Sequence, residues 1–152
     1  LLKYFLILII HSFGYYFAHL AMHKVNYFKQ FHKFHHKFVN ILIPSIGNAV
    51  SSSEFVIAYA SPFIFASFIL DANLITLNYA IKTISIFNLF IHCNELNYLK
   101  YPNILVSPND HINHHKLLAK KNTYSAPFIN LDYIVNKFFI SSSSKVSDEK
   151  EE

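Results

Sequence analysis

Eight of the ten histidines in this chain lie in three short clusters. The clusters read His19-Leu-Ala-Met-His23, His32-Lys-Phe-His35-His36 and His111-Ile-Asn-His114-His115. On a helix, residues three or four positions apart share one face, so each cluster would present several imidazoles together. Neutral imidazole is the commonest metal ligand, and converging helices are where a helical protein builds a metal site. The clusters therefore predict a metal centre.

A structural explanation has to be weighed first. A single pair spaced by four, such as His19 and His23, is usually a helix-end or interfacial pair rather than a pair of ligands. Eight clustered imidazoles without a metal, however, would leave many polar nitrogens to satisfy. A closed structural zinc site needs only four ligands, so this number favours two metals with open positions. Ligand preference alone leaves zinc, iron and copper open.

The composition is typical of a membrane protein. Hydrophobic residues make up 53% of the 152 residues and charged residues only 14%, against about 25% charged in a soluble domain. The length allows one domain at most. Because the chain begins with Leu1 inside an apolar stretch, we expect it to be a fragment of a longer protein.

All thirteen cationic residues are lysines. Nucleic-acid binding is disfavoured, because arginine is the residue suited to bidentate contacts with phosphates and bases. The lysines interleave with the first two histidine clusters and follow the third, which the positive-inside bias of membrane proteins explains. The single cysteine, Cys93, allows no internal disulfide.

Three apolar segments predict membrane helices. Residues 1–21 run into the first cluster without a cleavage site, which favours a membrane helix over a signal peptide. Residues 54–70 and 74–92 predict a hairpin that turns at residues 71–73. Seventeen residues span about 26 Å, short of a hydrocarbon core of about 30 Å, so the hairpin would be thin or re-entrant, with a kink at Pro62. This topology places every histidine cluster on one side of the membrane, with the lysines.

Residues 23–37 predict a helix at the membrane interface. His23 and His32 are nine positions apart and would lie on opposite faces of a straight helix. We therefore expect the helix to bend or break between Val25 and Gln30, unless different clusters serve different metals. Further along, residues 128–140 predict a helix packed under the site. The serine-rich and charged residues 141–152 predict a disordered tail, which leaves residues 1–140 as the catalytic domain.

The order of the clusters matches a known pattern. His-x-x-x-His is followed, after eight residues that include Tyr27, Phe28 and Phe31, by His-Lys-x-His-His, and far downstream by Asp110-His-x-x-His-His. Over residues 13–139 the chain resembles the fatty acid hydroxylase superfamily, which includes sterol desaturases, sterol C4-methyl oxidases and cholesterol 25-hydroxylase-like enzymes. The acyl-CoA desaturases also use three histidine boxes, but the eight-residue gap fits the hydroxylase superfamily better.

The resemblance implies an all-α fold: an N-terminal membrane helix, a helical hairpin and a histidine-rich di-metal site on the cytosolic face. It implies a non-haem di-iron oxygenase of the endoplasmic reticulum that hydroxylates or desaturates a sterol or fatty-acyl chain. With only two glycines, Gly14 and Gly47, the chain has no dinucleotide-binding motif. The electrons would then come from a separate or fused carrier, such as a cytochrome b5-type protein.

The implied ligand set contains nine histidines: His19, His23, His32, His35, His36, His92, His111, His114 and His115. Asp110, Asp132 and Glu54 are expected to hydrogen-bond and orient ligating imidazoles. His11 falls near the face of His19, and a buried polar role is expected for it rather than a ligand role.

Two alternatives remain open. Many members of the superfamily carry a His-Pro-x-Glu-like element where this chain has Asn48 to Glu54, and its histidine is absent here. A catalytically inactive or truncated relative that binds metal or lipid without turnover is therefore an alternative. A zinc transporter is disfavoured, because transporters place polar ligands in the middle of the bilayer.

Overall fold

The structure is a computed structural model that describes residues 1–38, 43–116 and 123–138. Its helices are α1 (Leu2–Lys24), α2 (Asn26–His32), α3 (Ser52–Leu70), α4 (Leu74–Ile91), α5 (Pro108–Lys116) and α6 (131–138). Short 3₁₀ turns cover His35–Phe38, Pro44–Asn48 and Asn94–Leu96. No strand occurs in these three ranges, where the only β-pairing is an isolated bridge between Leu105 and Ile129. The predicted all-α class is confirmed.

The helices α1, α3 and α4 are each long and apolar enough to cross a membrane. Large side chains on their outer faces are exposed, among them Phe68 at 87% and Leu74 at 82%. Such broad exposed apolar surface is typical of protein that contacts lipid. With 19 residues, α3 is longer than the predicted seventeen, whereas α4 has 18 residues against the nineteen of the predicted segment 74–92. At 1.5 Å per residue the two helices span about 27 to 29 Å, close to a hydrocarbon core of about 30 Å.

The turn of the hairpin lies where the sequence predicts it. Asp71 adopts a left-handed conformation with φ of 44°, and Asn73 caps α4 by accepting a 2.8 Å hydrogen bond from the backbone N–H of Thr76. Lys3 Nζ donates to the Asp71 carbonyl at 2.7 Å. Because this contact joins the start of α1 to the hairpin turn, the other ends of the three helices lie together, with His19 and His23 on α1, Glu54 on α3 and His92 directly after α4.

The core between the three helices is apolar. Ile7 and Leu8 of α1, Phe63 and Ala66 of α3, and Ala80 and Ile84 of α4 form one buried cluster. Gly14 allows α1 to approach α3 closely, because a Cβ at this position would lie 2.8 Å from Cβ of Pro62. Small residues at such contacts are typical of helices that pack within membranes.

A π-helical segment precedes Pro62, the residue at which the sequence predicts a kink; the kink itself stays a prediction. Residues Phe55–Ala60 of α3 form a π-helical segment, and regular α-helix resumes at Ser61. Proline lacks an N–H donor and its ring crowds the preceding turn, so the residues before it leave the regular hydrogen-bonding pattern.

The helix break between the first two histidine clusters is also confirmed. α1 ends at Lys24, Val25 is extended with φ of −95° and ψ of 119°, and α2 begins at Asn26. The break allows α2 to turn back, so that Nε2 of His32 lies 2.9 Å from Nε2 of His19. A straight helix would have kept these two rings apart.

The C-terminal part returns to the histidine end of the bundle. The backbone N–H groups of Val106 and Asn130 donate to the carbonyls of Phe128 and Ile104 at 3.0 and 2.8 Å. The helix predicted for residues 128–140 begins later, at residue 131, because residues 128–130 take part in this pairing. Residues 139–140 and the predicted disordered tail, 141–152, lie outside the described residues.

The topology predicts the accessibility of three exposed positions, Lys37, Asn73 and Lys116. In a Cys93→Ser background in sealed vesicles with the cytosolic face outward, we expect single cysteines at positions 37 and 116 to react with an impermeant maleimide. A cysteine at position 73 should react only after permeabilisation, because the hairpin turn lies across the bilayer. Equal labelling of position 73 from the cytosolic side would show that the hairpin does not cross.

Candidate metal centre

The structure gathers the nine predicted ligands into two groups at one end of the bundle. Cluster 1 contains His19, His23, His32, His36 and His114, and cluster 2 contains His35, His92, His111 and His115. Within each cluster the potential ligand nitrogens all lie within 4.8 Å of one another. His11 belongs to neither cluster; it is buried in α1 with its ring 4.1 Å from that of Phe63.

Local backbone geometry divides the sequence motifs between the two clusters. His35 and His36 are adjacent at the start of a 3₁₀ turn, where successive side chains point about 120° apart. They therefore point to different clusters. In α5, His111 and His115 share one face and belong to cluster 2, whereas His114 belongs to cluster 1. The helix breaks as predicted, and the second and third motifs each contribute to both clusters, whereas His19 and His23 of the first motif both belong to cluster 1.

The nitrogens within each cluster converge closely. In cluster 1 the Nε2–Nε2 distances are 2.9 Å for His19–His32, 3.1 Å for His19–His23 and 2.8 Å for His32–His36. In cluster 2 they are 2.9 Å for His92–His111, 3.1 Å for His111–His115 and 3.4 Å for His35–His92.

These distances bear on the shape of a bound metal. For bonds of about 2.1 Å, nitrogens at a right angle lie about 3.0 Å apart, whereas tetrahedral neighbours lie about 3.4 Å apart. Five of the six distances, between 2.8 and 3.1 Å, are close to the right-angle value. The nitrogens of each cluster are therefore close enough to bind one common metal ion.

Hydrogen bonds at the far side of four rings orient their ligand nitrogens. Nδ1 of His19 lies 2.8 Å from the Tyr124 carbonyl oxygen, and Nδ1 of His32 lies 2.7 Å from Glu54 Oε1. Nδ1 of His35 lies 3.2 Å from the Ala49 carbonyl oxygen, and Nδ1 of His92 lies 2.7 Å from the Asn88 carbonyl oxygen. The three carbonyl oxygens only accept hydrogen bonds, and the Glu54 carboxylate also accepts when it is ionised, so Nδ1 carries the proton. The lone pair on Nε2 is then directed into the cluster and is available to a metal.

Burial keeps these imidazoles neutral. Desolvation lowers the pKa of His35 and of His92 to about 4, and that of His114 to about 3. Desolvation, followed by repulsion from neighbouring histidines, also lowers the pKa of His32, His36, His111 and His115. Nε2 of His114 is buried and has no hydrogen-bond partner among the described residues. Neutral imidazoles with free nitrogens directed at common points fit a pair of metal ions.

The three predicted acidic partners take different positions. Glu54 is buried and accepts directly from His32. Asp132 instead accepts from the backbone N–H groups of Tyr124 and Ser125, both at 2.7 Å. It therefore holds the segment whose Tyr124 carbonyl orients His19. Asp110 accepts a 2.7 Å hydrogen bond from Ser107 in the first turn of α5, next to His111 but directed to the helix cap.

Sequence reasoning missed Asn88 and Gly47. The side-chain amide of Asn88 donates to the Gly47 carbonyl at 2.8 Å, and the backbone carbonyl of Asn88 accepts from His92. A Cβ on Gly47 would lie 2.7 Å from Nδ1 of His92, so only glycine fits beneath this ring. For Asn88 the sequence contains a signal, because Asn88 is a polar residue in an apolar helix and lies four positions before the predicted ligand His92.

An apolar cavity of about 370 Å³ lies between α3 and α4 and reaches the site. Its walls include Phe55, Phe63 and Ile84, and Gly47 and Asn88 line its inner end. Since these last two residues also contact His92, the cavity ends next to cluster 2.

The fold and the site together define a helical protein with candidate membrane spans and a histidine-rich site suited to metal binding. The sequence profile of the fatty acid hydroxylase family matches residues 4–137, and the chain belongs to that family. Its members are generally oxidoreductases and typically iron-dependent. Searches of curated proteins and of solved structures returned no significant match.

We predict that Gly47→Ala weakens metal binding at cluster 2 about ten- to hundredfold, the usual effect of disturbing the partner of a ligating histidine. The added methyl group would displace His92 or the turn that carries position 47. Metal content after dialysis against graded chelator measures this effect.

The matched control is Gly14→Ala, which crowds Pro62 at 2.8 Å in the α1–α3 contact, away from both clusters. It should lower thermal stability, since overpacking costs about 1–3 kcal/mol, without selective loss of one metal. Equal metal retention by wild type and Gly47→Ala would contradict the close-approach role of Gly47.

Proposed function

We propose that this protein is a membrane-bound non-haem di-iron oxygenase that hydroxylates or desaturates a lipid, either a sterol or a fatty-acyl chain. The observation that carries the proposal is the position of the two imidazole clusters beside an apolar cavity between candidate membrane helices. Membership of the fatty acid hydroxylase family supports the same reaction class.

The two clusters would hold one iron each, and bound iron would supply the redox chemistry by which dioxygen attacks an unactivated C–H bond. Tyr124, Glu54, Ala49 and Asn88 keep four of the ligating rings in one orientation through their Nδ1–H groups. The buried rings of cluster 2 exclude bulk water, which limits side reactions.

The cavity accounts for a lipid substrate. Its aromatic and aliphatic lining gains stability by covering an apolar chain. Polar groups lie at its inner end, where Asn88 contacts cluster 2. A chain bound in the cavity would thus bring one of its carbons towards the metals while its remainder stays among apolar side chains.

A second candidate is an inactive relative that binds metal or lipid without turnover. Cluster 2 has four histidines against five in cluster 1. In place of the absent motif histidine, the segment that includes Ala49 and Glu54 contributes acceptors to His35 and His32. A metal in cluster 2 would have fewer nitrogen ligands, which is compatible either with an open reactive position or with loss of activity.

Lipid analysis separates the two candidates. The gene is expressed in cells beside a His35→Ala variant, and total lipids are compared by mass spectrometry. Turnover predicts a product heavier by about 16 mass units for hydroxylation, or lighter by about 2 for desaturation, and only with the unaltered chain. A metal-loaded protein with no new lipid favours the inactive relative.

We predict that the purified protein carries about two irons per chain and that His35→Ala and His114→Ala each remove about one. The two residues lie in different clusters, so each loss should leave the other cluster occupied. Elemental analysis of both variants measures this. His11→Phe is the matched control, because His11 is buried outside both clusters. A single tetrahedral zinc unaffected by either alanine would refute the di-iron assignment.

The electron donor is proposed to be an acidic carrier such as a cytochrome b5-type protein, docking on the cytosolic face of the endoplasmic reticulum. The exposed lysines Lys24, Lys29, Lys33, Lys37 and Lys116 belong to the elements that carry the clusters and would attract it. Lys120 and Lys121, the other lysines that follow the third histidine cluster, lie outside the described residues. Anchoring to anionic lipid headgroups is the competing role for these lysines.

We predict that replacing Lys33, Lys37, Lys120 and Lys121 with glutamine slows reduction of the metal site by the carrier and flattens its dependence on ionic strength. Metal content should stay unchanged, and stopped-flow reduction over a range of salt concentrations measures the effect. An unaltered rate and salt dependence would leave these lysines as membrane anchors only.

A further inference from the structure

The two clusters differ in their exposure. All four histidines of cluster 2 are buried, with exposed fractions of 1% for His35, 0% for His92, 3% for His111 and 0% for His115. In cluster 1, His23 and His36 are only partly buried. The two candidate metal positions therefore differ in their solvent accessibility.

A second cavity, of about 430 Å³, opens onto cluster 1. Its lining includes three histidines of cluster 1, His23, His32 and His36, together with the buried Met22 and the polar residues Lys29, Gln30 and Lys33. We call it the basic mouth. Its outer residues Lys29, Gln30 and Lys33 are exposed, so the cavity connects three potential ligands with the surface.

The charged residues that line the basic mouth all carry positive charge. Two lysines and no acidic residue are among the described residues that line it, and Nζ of Lys29 donates a 3.0 Å hydrogen bond to Asn26. Glu54 is buried behind His32, on its Nδ1 side. A cleft lined by charge of one sign concentrates solutes of the opposite sign. The mouth thus favours anions.

We propose that cluster 1 is the water-accessible metal position and that the basic mouth admits small anions to its metal, whereas cluster 2 is closed to the aqueous side. Cluster 2 instead adjoins the apolar cavity through Gly47 and Asn88. This inference rests on the proposed function in so far as both clusters hold metal. It separates the route of water-soluble reactants from the route of the lipid.

The rate of metal removal tests the inference without any activity measurement. The purified metal-loaded protein is mixed with excess EDTA, an anionic chelator, and release is followed with time. We expect about one metal per chain in a fast phase and the second at least about tenfold more slowly. His111→Ala, which disrupts cluster 2, should retain only the fast metal, and His19→Ala, which disrupts cluster 1, only the slow one.

The lysines are tested with a second chelator. Lys29→Gln/Lys33→Gln should slow the fast phase with EDTA about three- to tenfold and flatten its dependence on ionic strength, because screening acts on exposed charge. It should leave release to 1,10-phenanthroline, a neutral chelator, unchanged. Lys100→Gln/Lys137→Gln, which removes two exposed lysines that do not line the mouth, should behave like the unaltered protein.

Several results would overturn the inference. Release of both metals in one phase, or a fast phase that survives in His19→Ala, would show that the positions are equally accessible. An unchanged EDTA rate in the Lys29→Gln/Lys33→Gln protein would show that the mouth does not select anions. A protein that binds no metal would refute the proposed function itself, whereas two metals released in a single phase would refute only the unequal access.

Discussion

The structure depends on one constraint: neutral imidazoles buried at the end of a membrane bundle must be turned so that their lone pairs meet. An unpaired buried polar nitrogen is costly, and a ring that rotates freely would present either nitrogen. The acceptors at Nδ1 of His19, His32, His35 and His92 provide both the partner and the orientation. Ala49 and Tyr124 supply acceptors from loops, and Glu54 and Asn88 supply them from α3 and α4.

Those acceptors are themselves held by further hydrogen bonds. Asp132 binds two successive backbone N–H groups and so holds the Tyr124 carbonyl towards His19. Asn88 ties the turn at Gly47 to α4 while its carbonyl binds His92. The apolar core between α1, α3 and α4 provides the rigid frame on which this network is built. Such support is what keeps a metal site at one geometry.

The site faces two different environments. The apolar cavity approaches it from the membrane side at cluster 2, and the basic mouth approaches it from the side of α2 at cluster 1. Under the proposed function, this arrangement would let an apolar substrate and water-soluble reactants reach the two clusters by separate routes. Lys29 and Lys33 would then influence which solutes arrive, and the residues that line the apolar cavity would influence which chain fits.

The sequence by itself determined the helical class, the hairpin turn at residues 71–73, the break near Val25 and the histidines that meet, because spacing and hydrophobicity are local properties. The tertiary structure decided how those histidines are divided. Adjacent His35 and His36 go to different clusters, and the acceptors come from residues distant in the chain, as with Tyr124 for His19, 105 positions away. The spacing of Asn88 four positions before His92 does not reveal its contact with Gly47, 41 positions away, because that contact forms only when α4 packs against the turn before α3.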